Sequence, residues 1–63
     1  MNANDLILVK TIDAYNRLIE KNEQYDQEML AGNFANFEYW KANEENINAL
    51  FGIIAQMERR ASD

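Results

Sequence analysis

Cysteine, histidine and proline are missing from this 63-residue chain, and glycine occurs only twice. Each absence removes a class of structure or chemistry. Without Cys there is no disulfide, and without Cys or His there is no ordinary structural zinc site. The same gaps leave no imidazole for proton transfer near neutral pH and no thiol nucleophile. A glycine-rich phosphate loop is absent as well. The carboxylates are numerous, but Glu-x-x-His pairing of the di-iron bundle type needs the missing histidine. Glu20, Glu23, Asp26 and Glu28 also lack the glycine-containing spacing of a calcium loop. The expectation is a protein that is not an enzyme and carries no cofactor and no metal.

Long apolar runs are scarce too. The longest near the N-terminus is Leu6-Ile7-Leu8-Val9, preceded by Asp5, which is too short for a membrane span or a signal core. The expected location is cytoplasmic. Hydrophobic residues nevertheless make up 48% of the chain, which argues against disorder despite a net charge of −5. With almost no helix breakers, the composition favours helix.

What the chain has is spacing. Leu8, Thr11, Tyr15, Leu18, Asn22, Tyr25 and Met29 step by three and four residues, as do Asn36, Trp40, Asn43, Ile47, Leu50, Ile54 and Met57. Between the two series lies Ala31-Gly32-Asn33. Folding there sets each position n opposite 65 − n, so that Leu8 faces Met57, Tyr15 faces Leu50, and Tyr25 faces Trp40. The pattern predicts one all-α domain over residues 1–63, an antiparallel two-helix hairpin. Helix one runs from about 4 to 30, the loop covers about 31–33, and helix two runs from about 34 to 61. Asn2 or Asn4 is expected to cap the first helix, Gly32 to end it, and Asn33 or Asn36 to cap the second.

The apolar stripes are wider than one neighbouring helix covers. On helix one, Leu8, Ile12, Tyr15, Leu18, Ile19, Met29 and Leu30 share a face, while Phe51 flanks the second stripe. A small chain also has difficulty building a sufficient core alone. The expectation is a homodimer in which two hairpins form a four-helix bundle. Leu8, Ile12, Tyr15, Ile19, Ile47, Phe51 and Ile54 are the expected dimer interface. The charge favours antiparallel hairpins. Between Glu20 and Glu45 stand seven acidic residues against Lys21 and Lys41, and the rest of the chain balances.

Three polar or aromatic features are candidates for function. Asn22 and Asn43 fall opposite each other and read as a hydrogen-bonded layer that sets register, rather than as a polar ligand pocket. Asp26 falls on the buried side of helix one beside Tyr25. It would need water, the Trp40 indole or a Tyr hydroxyl as donor. The segment from Asn33 to Trp40 holds four of the seven aromatic residues. Phe34, Phe37, Tyr39 and Trp40, with Glu38 and Glu44, form the candidate partner-binding set, since aromatics are enriched among interface anchors.

The functional expectation is therefore an acidic helical-hairpin module for protein–protein interaction, an inhibitor, adaptor or assembly factor whose partner presents a basic surface. Two alternatives involve nucleic acid. The expected architecture is similar in size, topology and acidity to Rop, the plasmid-encoded RNA-binding four-helix bundle, although no motif of that protein aligns. Lys10, Arg17 and Lys21 would be its phosphate contacts, and they are few. The other alternative is an acidic nucleic-acid mimic that occupies a DNA-binding protein.

Overall fold

A computed structural model describes residues 2–62, with side chains described for residues 2–60. The chain forms two helices, α1 (Ala3–Leu30) and α2 (Phe37–Ser62), packed side by side as an antiparallel hairpin. Asn2 caps α1: its extended backbone turns the side chain back, and Oδ1 accepts the Asp5 N–H at 2.9 Å. Asp5 adds a negative charge beside the positive end of the helix dipole. At the other end Gly32 adopts φ 90°, a left-handed conformation that side chains resist. Its N–H donates to the Met29 carbonyl (2.9 Å), and that of Asn33 donates to the Glu28 carbonyl (2.8 Å). Those two bonds are the Schellman closure of a helix end.

Helix two begins at Phe37, three residues beyond the expected 34. Two asparagines compete to start it, and they divide the work. Asn33 Oδ1 accepts the Ala35 N–H at 3.0 Å and holds a local turn. Asn36 supplies the carbonyl that accepts the Trp40 N–H, the first helical bond, while its Nδ2 donates to Glu28 Oε2 on α1 at 2.9 Å. The tertiary bond to Glu28 fixes Asn36 at the entry to the helix. The chain between the helices is thus six residues long, 31–36, rather than three.

All fourteen residues of the two spaced series are half-buried or buried. They form the seam between the helices. Thr11, a polar member, turns its hydroxyl back onto the Ile7 carbonyl at 2.7 Å and so needs no partner across the seam. Yet no described apolar side chain is fully buried. Asn22, at 3% exposure, is the one buried residue described.

The shape explains why. The hairpin measures 47 × 18 × 14 Å, with a Cα radius of gyration of 14.5 Å. A compact chain of this length would have a radius near 11 Å. The accessible surface is 4966 Å², where a compact monomer of this mass exposes about 4,200 Å². Among the described residues, no helix is long and apolar enough to cross a membrane.

Candidate interaction surfaces

Antiparallel pairing at this spacing puts residues immediately after the seam on one side of the hairpin, and those immediately before it on the other. On the first flank lie Ile12 and Ile19 of α1 with Phe37, Glu44, Phe51 and Glu58 of α2. The second carries Ile7, Ala14 and Lys21 with Tyr39, Asn46 and Ile53. An open groove on the first flank is lined by Ile12, Tyr15, Phe51, Ile54 and Ala55, bordered by Asn16 and Glu58. Tyr15 and Phe51 meet there with ring centroids 6.4 Å apart. Phe51 is 63% exposed, and the neighbouring Val9 also stands in solvent. By contrast, a groove beside the second flank is lined by Lys10, Asp13, Ala14, Arg17 and Leu18.

The residues expected at a dimer interface therefore separate into two groups. Leu8, Tyr15, Ile47 and Ile54 belong to the seam of the hairpin itself, half-buried against the opposite helix. Ile12 and Ile19 are half-buried on the first flank, and Phe51 is exposed there.

Midway along the hairpin, Asn22 gathers three groups. Its Oδ1 accepts from Asn43 Nδ2 at 2.9 Å. Its own Nδ2 donates to the Trp40 carbonyl and to Glu44 Oε1, each at 3.1 Å. Both amide hydrogens and the oxygen are engaged within one hairpin, so burial of this side chain carries no unmet polar cost. Glu44, expected with the aromatic segment, lies half-buried in the Asn22 layer instead.

Asp26 is exposed, which corrects its placement on the buried side of α1. It sits just past the seam, where a hundred degrees of helix rotation carries it out to water. The half-buried carboxylates are Glu28 and Glu44, and each accepts a side-chain amide. Sequence reading missed Glu28 because its position is polar by the helical period. Its carboxylate accepts the Asn36 amide at the edge of the seam. The Trp40 indole N–H, an expected donor to Asp26, is instead buried with no acceptor among the described residues.

The aromatic segment does not form a single cluster. Phe37 stacks on Trp40 with centroids 5.8 Å apart and rings 25° from parallel. Trp40 itself is half-buried in the seam. Tyr39, two residues beyond Phe37, points away by about 200° of helix rotation and is 65% exposed. Phe34, in the turn, is 62% exposed, and Glu38 is exposed beside Phe37. Leu30, expected on the apolar face of α1, is 81% exposed because the helix ends beside it. It adds an apolar member to the loop end that the helical wheel assigned to the core.

The cations are partly engaged. Arg17 pairs with Asp13 at 2.9 Å along the surface of α1, and Lys21 Nζ stands 5.3 Å from the Tyr25 ring centroid. No group of His, Cys, Asp or Glu able to hold a metal ion occurs among the described residues. No protein family, curated protein or solved structure matches the chain.

Proposed function

We propose that the chain is a small protein–protein interaction module that works as a homodimer and presents the loop end of each hairpin to a partner. The observation that carries this reading is the exposure of Leu30, Phe34, Phe37 and Tyr39 at the end of the molecule that also holds the excess negative charge. Large apolar groups rimmed by carboxylates suit a partner with apolar pockets and basic side chains around them. Phe37 is the expected anchor, because its ring is already held by stacking on Trp40 and loses little freedom on binding. In this reading Asn22 and Asn43 keep the helices in register, and dimerisation supplies the apolar burial that the single hairpin lacks.

RNA binding of the Rop type draws less support, since Arg17 is paired with Asp13 and Lys21 lies over Tyr25. The test is affinity purification from the cells that make the protein, comparing the natural chain with Phe37→Ala. A protein with a basic surface should be retained by the natural chain and lost with Phe37→Ala, while helix content stays unchanged by circular dichroism. Retention of the same partner by Phe37→Ala would overturn the loop-end site. Recovery of structured RNA released by salt would replace the reading with the second one. Recovery of a nucleic-acid enzyme displaced by DNA would replace it with nucleic-acid mimicry.

A further inference from the structure

We infer that the first flank is the face on which a second copy docks, antiparallel and centred near Phe51, so that the two loop ends project from opposite poles of a two-headed particle. This rests on the homodimer reading and, to the antiparallel direction expected from charge, adds the docking face and the spacing of the two ends. The flank has the composition of an interface core with its own boundaries. Val9, Ile12, Ile19, Phe51 and Ala55 form a mainly apolar block, with Asn16 as its polar member. Asp5 and Glu58 bound it toward the open end, and Glu23 and Glu44 toward the loop. The middle of the block lies level with Phe51. The opposite face offers Ala14, Ile53, Lys21 and Asn46 at the same heights, a smaller apolar area beside the paired Asp13 and Arg17.

The hairpin as a whole has surface to spare. The hairpin exposes roughly 750 Å² more than a compact monomer of its mass, close to the ~800 Å² that each member of a standard complex covers. Charge selects the direction. In a parallel pair, Glu20, Glu23, Asp26, Glu44 and Glu45 of both copies would stand at one level. In an antiparallel pair about Phe51, those carboxylates stand instead level with the open end of the second copy, where Arg59 and Arg60 offset Asp5 and Glu58, so the net repulsion is smaller. The loop lies beyond the overlap in that arrangement. Leu30, Phe34 and Phe37 therefore stay uncovered by the second copy, at both ends.

The absence of cysteine allows a direct measurement, because a single Ala35→Cys in the exposed turn gives one spin-label site per chain. Electron–electron dipolar spectroscopy should then give a distance of about 50 Å between labels, from a rise of 1.5 Å per residue on either side of the two-fold axis. A parallel dimer would give about 10–20 Å, the spacing of adjacent helix pairs. Sedimentation equilibrium on two variants tests the face. Phe51→Glu should weaken dimerisation at least a hundredfold, while Ile53→Glu, on the opposite flank, should change it less than fivefold. A monomer at every concentration would overturn the homodimer reading and this inference together. A dimer with a short label distance, or one disrupted by Ile53→Glu and untouched by Phe51→Glu, would overturn the inference alone. Should Phe51→Glu fail to fold, the label distance in the Ala35→Cys chain still decides direction.

Discussion

Around the Asn22–Asn43 pair and out to the turn, the hairpin is closed by directional bonds. Asn22 engages Asn43, Glu44 and the Trp40 carbonyl, Asn36 reaches Glu28, and the Gly32 turn satisfies the end of α1. Toward the termini the same two helices meet through Leu8, Tyr15, Leu50, Ile54 and Met57, and the apolar residues around them remain in water. One half has its geometry fixed by bonds within a single chain, while its exposed Leu30, Phe34 and Tyr39 and the Trp40 indole N–H stay unpartnered among the described residues. The other has a seam but no cover. Hydrogen bonds fix geometry at short range and contribute modestly to net stability, whereas apolar surface gains stability in proportion to what covers it. The loop half therefore defines the shape of the hairpin, and on the proposed dimer the open half supplies most of the energy that holds it.

Charging the uncovered half should have the largest effect. On the dimer reading, Ile12→Asp removes a half-buried apolar group from both copies and puts a carboxylate into each, at a cost of about 3 kcal/mol per chain or more. Thermal unfolding should show a fall in midpoint that grows as protein concentration is lowered. Asn22→Ala should come next, at about 2 kcal/mol, because it strands the Asn43 amide in a part-buried position and removes the donor to Glu44. Urea unfolding measures it. Changing Asn22 and Asn43 together to Leu should instead raise stability and loosen the choice of oligomer. A stable double variant with an unaltered single oligomer would show that the pair is not what fixes the assembly.

Gly32→Ala should cost about 1–2 kcal/mol, the penalty of a left-handed backbone for a residue with a Cβ. Open space surrounds the added methyl, so the cost is conformational and not steric. At the far end, Asn2→Ala should cost about 0.5–1 kcal/mol through loss of the α1 cap. Hydrogen exchange should localise that loss to the first turn, whereas Gly32→Ala should expose amides on both sides of the turn. Asp13→Ala should be smallest, about 0.3 kcal/mol, as expected for an exposed helical ion pair with Arg17. A double-mutant cycle with Arg17→Ala checks it.

The seam was legible in the sequence because its information is periodic. Every member of both series, from Leu8 to Met57, lies where a three-and-four spacing puts it, and one glycine marks the turn. The turn itself was less legible. Asn33 and Asn36 are equally good cap residues by type, and the choice depends on Glu28, a residue eight positions earlier that only the folded chain brings near. The polar sites failed in the same way. A helical period says which side chains face the seam, but not which long carboxylates bend toward an amide. So Glu28 and Glu44 are half-buried while Asp26 is not. The two flanks were harder still, since telling apolar from polar there requires knowing which residues of α2 share a side with Ile12 and Ile19. That depends on chain direction and register together.

One feature of the core reaches beyond structure into abundance. A folded chain in which every described apolar side chain still touches water has little private stability. On the proposed dimer, the folded fraction follows the number of copies present, because association and folding share one equilibrium. Scarce copies would spend more time open and be removed sooner by proteases, while plentiful ones would protect each other. On the proposed dimer, such a hairpin would carry its own threshold, holding its fold only once enough of it has been made.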